Sequence, residues 1–197
     1  MPPLLWKVNE IFYSIQGEGL HAGMPAVFLR LAGCSMGCPW CDTKYALAAG
    51  QEMNNLQVLV ELAKYPCKTV VITGGEPTEQ DLPALIASLK SAGYTVHLET
   101  NGARDCDVSR ADFVCVSPKK YVSKEMLQKA DVIKLVVNTQ TDLEDLKKYY
   151  LYENEHTRIY LQPESNKQEN IALCVKLIKE HPSARLSVQL HKLINVK

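Results

Sequence analysis

No stretch of the sequence approaches the roughly 18 consecutive uncharged apolar residues of a membrane span. The opening residues, MPPLLWKVNE, lack a positive segment followed by a long apolar one. A secretory leader is therefore not expected, and the cytoplasm is the expected location. A charge bias is missing too. The 22 Lys and Arg balance the 22 Asp and Glu, which argues against a nucleic-acid partner or a membrane surface. Repeats, low-complexity tracts and an obvious linker are also absent. The 197 residues suit a single domain, 1–197, long enough to bury a core. Hydrophobic content of 46% and charged content of 22% are ordinary for a globular protein.

A further absence concerns metal ligands. Cys34, Cys38 and Cys41 in GCSMGCPWCDT are separated by three and then two residues. No second Cys-x-x-Cys and no spaced His pair exists to complete a tetrahedral zinc site. Without export, the seven cysteines belong in a reducing compartment, where clustered thiols read as metal ligands or redox groups. Cys67, Cys106, Cys115 and Cys174 stand alone in helical or strand patterns and read as core fillers. Three thiolates on a four-iron cube leave one iron open, so a small molecule would bind the metal directly. An iron–sulfur cluster ranks above zinc on this spacing, and a purely structural cluster ranks third.

What is present is an alternation. Runs at 26–33, 69–75, 95–102, 112–119, 132–138, 158–164 and 184–192 predict strands, mostly Val/Ile/Leu-rich as in sheets covered on both faces. Helical patterns fall at 55–65, 82–92, 123–129, 141–150 and 166–181. In the second of these, Leu82, Leu85, Ile86 and Leu89 recur at helical spacing. The run 10–19 predicts a strand or hairpin arm ahead of the first unit. The alternation predicts an α/β fold with a parallel sheet, open or closed into a barrel. The cysteines, TGGEP, ETNG, SPKK, Asn138, QPES and QLHK each follow one strand. All would then meet at the C-terminal edge of the sheet, where ligand sites form.

CSMGCPWC and TGGEP resemble the two motifs of the radical S-adenosylmethionine enzymes. The resemblance implies a four-iron, four-sulfur (4Fe-4S) cluster on Cys34, Cys38 and Cys41, with S-adenosyl-L-methionine on the open iron. Trp40 would lie near the adenine. Gly74 and Gly75 would let backbone approach the methionyl end, and Glu76 would accept from its ammonium. A turn leading into a helix is the alternative for GGEP.

A narrower resemblance runs through YSIQGEG, VFLRLAGC, CDTKYA, VVITGGEP, ETNG, VSPK and SVQLHK, in order, to the 7-carboxy-7-deazaguanine synthase family. Asn101 stands where many relatives have serine. The resemblance implies a trimmed, partial parallel (β/α) barrel of the radical S-adenosylmethionine type, in a homodimer. It also implies conversion of 6-carboxy-5,6,7,8-tetrahydropterin to 7-carboxy-7-deazaguanine with loss of ammonia, on the route to queuosine. Magnesium (Mg2+) and an electron donor such as flavodoxin belong to the same expectation. Carried over with it are Cys41, Asp42, Gly102, Ser117, Pro118 and Lys119 as S-adenosylmethionine contacts and Thr43 as the magnesium ligand. Ile15, Gln16, Gly17, Glu18, Arg30, Thr100 and His191 carry over as substrate contacts.

The residues admit other readings. Arg30 in an apolar strand is costly unless paired, and its planar fork suits a carboxylate. That carboxylate is the substrate's, or Glu18, Glu76 or Glu99 in an internal salt bridge. IQG at 15–17 is equally a hairpin turn, Asp42–Thr43 a helix cap, Gly102 a turn glycine, Ser117–Lys119 a solvent-facing strand end, and His191 a packing residue. A glycyl-radical activase would share the cysteine motif without needing YSIQGEG or CDT. An electron carrier would saturate its cluster with four protein ligands.

Overall fold

The structure, a computed structural model, describes residues 4–47, 50–141 and 143–197. In chain order the elements are β1 (Leu5–Ile15), β2 (Pro25–Leu31), β3 (Gln51–Asn54), α1 (Asn55–Leu62), β4 (Thr69–Gly74), α2 (Leu82–Ser91), β5 (Thr95–Thr100) and β6 (Phe113–Val116). They continue with α3 (Lys124–Gln128), β7 (Val132–Val137), α4 (Leu143–Tyr150), β8 (Arg158–Pro163), α5 (Gln168–Glu180), β9 (Arg185–Leu186) and α6 (Leu190–Leu193). The expected helices all form, trimmed at their ends. Asp142, inside the expected helix 141–150, lies outside the described residues. Caps set several starts: Asn54 and Gln57 make a reciprocal capping box on α1, and Asp81 and Ser123 cap α2 and α3. No helix among the described residues is long and apolar enough to cross a membrane.

The strands form one sheet in the order β3-β1-β2-β4-β5-β6-β7-β8-β9. From β2 onward every pairing is parallel, and β1 pairs antiparallel with both β2 and β3. The expected α/β fold with a trimmed parallel barrel is what the chain adopts. Two elements depart from the sequence reading. β3 was not foreseen, because QEMN carries little strand preference. The strand expected at 184–192 is only Arg185–Leu186, and QLHK opens α6 instead.

The two sheet faces have different partners. Val27, Leu29, Leu31, Val70, Ile72, Val96, Leu98, Ile133, Leu135, Ile159 and Leu161 point one way and are buried in the main core with the helices. Fully burying each such side chain is worth roughly 1.5–3 kcal/mol, so this face holds the fold together. The alternate residues point into the concave side. Phe113, Cys115, Val132 and Tyr160 form a second, small apolar cluster there. Above it the inner face turns polar, with Arg30, Glu99, Lys134 and Gln162. The chain thus reserves one face for stability and the other for a site.

The β1–β2 connection closes the narrow end. Ile15 pairs with Pro25, the first residue of β2, so this loop lies at the strands' N-terminal ends. His21 in it packs tilted on the His97 ring at 4.5 Å and edge-on against Phe113 at 4.5 Å. The same loop ties the first hairpin to the last strand. Gly19 N–H donates to Ser187 Oγ at 2.8 Å, and Leu190 N–H donates to the Gly17 carbonyl at 2.8 Å.

Candidate functional site

The parallel strands deliver their C-terminal ends to one rim, and a single cavity there is lined by nearly all the expected residues. Cys34, Cys38, Trp40, Cys41, Asp42 and Thr43 come from the loop after β2; Gly74, Gly75 and Glu76 follow β4, Thr100 ends β5, and Ser117 and Lys119 follow β6. Ile15, Gln16, Gly17 and Glu18 rise into it from the β1–β2 loop, Arg30 from β2 and His191 from α6. Gly102 and Pro118 do not line it. Gly102 has φ +69° and sits against the Val116 side chain, which is the turn-glycine role, and Pro118 is buried behind the rim.

The glycines next to the cysteine loop have a steric explanation. The segment after β4 continues the ladder alongside it, with Gly75 N–H to the Leu31 carbonyl at 2.9 Å and Glu76 N–H to the Gly33 carbonyl at 2.8 Å. A Cβ on Gly75 would meet the Gly33 oxygen at 1.9 Å, and one on Gly74 the Leu31 oxygen at 2.1 Å. The backbone approach expected toward a ligand is here an approach to the base of the cysteine loop. Gly75→Ala is therefore expected to push that loop away. It should lower the melting temperature by the equivalent of about 1–3 kcal/mol and reduce iron content after reconstitution. Unchanged iron content and melting would sink this account.

Several side chains expected to face ligands are engaged by the protein instead. Glu76, only 2% exposed, accepts from Thr78 N–H at 3.0 Å, Thr78 Oγ1 at 2.8 Å, Thr100 Oγ1 at 2.5 Å and Asn101 N–H at 2.7 Å. Its carboxylate and the Thr100 hydroxyl therefore weld the ends of β4 and β5 together. Gln16 Nε2 donates to Glu99 at 3.3 Å, and Gln16 Oε1 accepts from Glu18 N–H at 3.3 Å. Asp42 caps no helix. It accepts from Gln189 Nε2 at 2.9 Å and Lys192 Nζ at 2.8 Å, which ties the cysteine loop to α6. Burial raises the Asp42 carboxyl, but Lys192 and Gln189 outweigh it and hold the group below its ordinary value.

Arg30 is paired, though not with the partners weighed from sequence. Its Nε donates to Glu10 at 2.8 Å, directly across the β1–β2 ladder. The guanidinium carbon lies 5.6 Å from the ring centres of both Phe12 and Tyr45. Tyr45 Oη donates to the same Glu10 oxygen at 3.1 Å. Burial raises the Glu10 carboxyl, but Lys197, Arg30 and Tyr45 together bring it below its ordinary value. The Arg30 Nη atoms donate to no acceptor among the described residues. The outer edge of the fork is left for something in the cavity.

The residue missed by the sequence reading is Lys134. It sits inside VIKLVV on β7, 5% exposed, with Nζ 2.5 Å from Glu18 Oε2 and 2.9 Å from Glu99 Oε2. A lysine in an apolar strand was the same signal that singled out Arg30. Burial raises the Glu18 carboxyl, yet the charge and hydrogen bond of Lys134, helped by Gln189, bring it down to about 2. Lys119, after β6, donates to Ser117 Oγ at 2.5 Å and lies 5.2 Å from the Trp40 ring centre, which brings the end of β6 to the cysteine loop. Burial and the neighbouring Lys134 charge lower its ammonium. His191 packs on Gly17, where a Cβ would come within 2.0 Å of its Nδ1. Burial lowers the imidazole.

The donor set fits an iron–sulfur cube. One zinc ion would draw its donors to about 2.0–2.3 Å from a single point. Among the described residues no three His, Cys, Asp or Glu gather that tightly. Cys34, Cys38 and Cys41 nevertheless line one cavity, half-buried on a loop that holds Gly33 and Gly37, and three thiols are the donor set of a cube with one iron left open. Thr43 Oγ1 lies 3.6 Å from Cys41 Sγ.

The relatives are consistent in kind. A 7-carboxy-7-deazaguanine synthase of Bacteroides thetaiotaomicron is 44% identical over 98% of this chain and 100% of its own length. The chain belongs to the 7-carboxy-7-deazaguanine synthase family. A second member, from Aquifex aeolicus, is 38% identical over 98% of this chain and 95% of that protein. The Radical SAM superfamily profile matches residues 29–112, the stretch that holds the cysteines and TGGEP. The crystal structure of QueE from Escherichia coli superposes with a TM-score of 0.82 at 31% identity, covering 95% of both chains. Family membership and the trimmed barrel are thus reached from sequence and from shape separately.

Proposed function

We propose that this chain converts 6-carboxy-5,6,7,8-tetrahydropterin to 7-carboxy-7-deazaguanine with release of ammonia, as a radical S-adenosylmethionine carbon–nitrogen lyase. The observation that carries the reading is one cavity with two ends. The cysteine loop and the glycine segment lie at its rim, and the unengaged edge of Arg30 and the carboxylates around Lys134 lie on its inner wall. Cys34, Cys38 and Cys41 would hold the cluster, which together with S-adenosylmethionine would supply radical hydrogen-abstraction chemistry. The protein's own part is positioning. Trp40, Ser117 and Lys119 form the nucleoside wall. Arg30 takes the substrate carboxylate bidentately, while Glu10 and the two rings keep its fork in plane. Glu18 and Glu99 accept from the amino-pyrimidine edge, and His191, packed on Gly17, lines the wall beside them. Ångström-scale placement decides which hydrogen the radical meets.

Magnesium is read as held by Thr43 together with substrate oxygens and water, in keeping with that ion's few protein ligands. Thr43→Ala is expected to flatten the magnesium response of turnover while leaving S-adenosylmethionine cleavage in place. An unaltered magnesium dependence would count against the ligand assignment. Residues 1–197 are read as one domain, supported by the single continuous sheet. The reading extends to a homodimer in the cytoplasm, reduced by a donor such as flavodoxin. Exposed Leu56 and Val60 on α1 and Tyr13 on β1 support a second copy covering that side. The test of the activity is anaerobic: reconstituted protein, S-adenosylmethionine, reductant and the carboxypterin, with product mass and ammonia measured. Deoxyadenosine without a deazapurine product would overturn the substrate assignment.

A further inference from the structure

Lys134 is the most deeply buried cation lining the cavity, and no part of the proposed chemistry requires a cation there. Its neighbours explain it. Glu18 comes from the β1–β2 loop and Glu99 from β5, and both carboxylates bond the same ammonium. The two acids are therefore held side by side on the inner face, each with oxygen left over. Glu99 Oε1 accepts the long Gln16 contact at 3.3 Å, the Cys115 thiol also bonds the Glu99 carboxylate, and Glu18 Oε1 accepts from Gln189 at 2.9 Å. Other groups face this cluster. They are Cys115 on β6, Lys119 beyond it, His21 from the narrow-end loop, and His191 and Asp42 near Glu18. Of these cations, none bonds either carboxylate among the described residues, so Lys134 alone makes that contact.

We propose that Lys134 is a positioning residue that keeps Glu18 and Glu99 ionised together, so that the pair presents acceptors to adjacent N–H donors of an amino-pyrimidine ring. The inference rests on the activity proposed above and names the residue that sets its ring specificity. Two carboxylates close together in a half-buried site resist ionising together and share a proton. A shared proton turns one acceptor into a donor, and a donor facing a ring N–H repels it. The ammonium removes that outcome at every pH at which the enzyme works. Its burial on β7 holds the ammonium between the β1–β2 loop and β5, so both carboxylates meet one fixed charge.

The experiment compares the holoenzyme with Lys134→Met and Lys134→Arg. It measures binding of 6-carboxypterin, a stable fluorescent analogue, from pH 6 to 9, alongside turnover and uncoupled deoxyadenosine formation. In Lys134→Met, affinity should fall about tenfold or more at neutral pH and recover as pH rises and the pair loses its shared proton. Turnover should follow affinity, while deoxyadenosine formation persists. Lys134→Arg keeps the charge, and its affinity should be largely restored and flat with pH. A pH-independent loss in Lys134→Met would mark a packing role and overturn the proposal, as would unchanged affinity. If the Met variant does not fold, Lys134→Arg decides, because a pH-dependent loss there is also incompatible with it. Wild-type protein that cleaves S-adenosylmethionine but neither binds the pterin nor turns it over would instead indict the proposed activity.

Discussion

Cys34→Ala, Cys38→Ala and Cys41→Ala are each expected to abolish the visible absorption of the reconstituted cluster and all carboxypterin turnover. No described side chain stands ready to replace a lost thiolate. The other cysteines lie elsewhere: Cys115 is 1% exposed on the inner wall of β6, Cys174 is 0% exposed on the core-facing side of α5, and Cys67 and Cys106 sit at the edges of the main core. Burial pushes the Cys174 thiol up to about 12, as suits a group that fills space and carries no metal. Alanine at Cys115 or Cys174 should cost stability of about 1 kcal/mol or somewhat more, through a small cavity, and leave absorption and iron content intact. The discriminating measurement is iron per chain beside the melting temperature across the seven single variants. Loss of iron in a folded Cys67, Cys106, Cys115 or Cys174 variant would remove the argument for an open iron.

Arg30→Ala should be the second most damaging change. Losing a charge-assisted bidentate contact costs about 1.5–3 kcal/mol, or about ten- to a hundredfold in substrate affinity. The structure adds a second cost. Without Arg30, Glu10 keeps Lys197 and Tyr45 but loses the charge that lies between it and the cavity. An under-compensated carboxylate then faces the substrate's own. Turnover should therefore fall further than one lost contact implies, and Arg30→Ala with Glu10→Gln should recover part of it. Arg30→Lys keeps the charge but neither the fork nor the stacking between Phe12 and Tyr45, and should fall in between. S-adenosylmethionine cleavage should survive in all three. Near-normal carboxypterin turnover in Arg30→Ala would make Arg30 a purely structural partner of Glu10.

Much of this was legible before any coordinates. Six of the seven parallel strands announced themselves as mostly Val/Ile/Leu-rich runs, and each was followed by a loop that carries chemistry, because parallel order sends every loop to one rim. The partner of Arg30 was not legible. Glu10 becomes its neighbour only through the antiparallel register of β1 on β2, which the sequence does not print. The protein partners of Glu76 were hidden for a similar reason. Its acidity beside a glycine pair suggests a ligand, but the Thr100 hydroxyl and Asn101 amide that also bond it come from the end of a strand two dozen residues away, at a separation of 24–25. The collapse of the last strand into α6 was hidden because SVQLHK alternates as well as a strand does, yet Leu161 offers β9 only a short ladder to join.

The tie between Gly19 and Ser187 spans 168 positions of chain, and that between Glu18 and Gln189 spans 171. Such contacts are the slowest to find, since loop closure must come before the reward. On a ribosome they cannot form at all until the final turn of the chain has emerged. The helix-covered face of the sheet can assemble earlier from its strand–helix units, one after another. The acid-lined lumen cannot, because one wall arrives first and the opposite wall last. The newborn protein therefore passes through a stage with a formed scaffold and an unfinished vessel. Substrate binding belongs after the 187–190 segment has joined the β1–β2 loop.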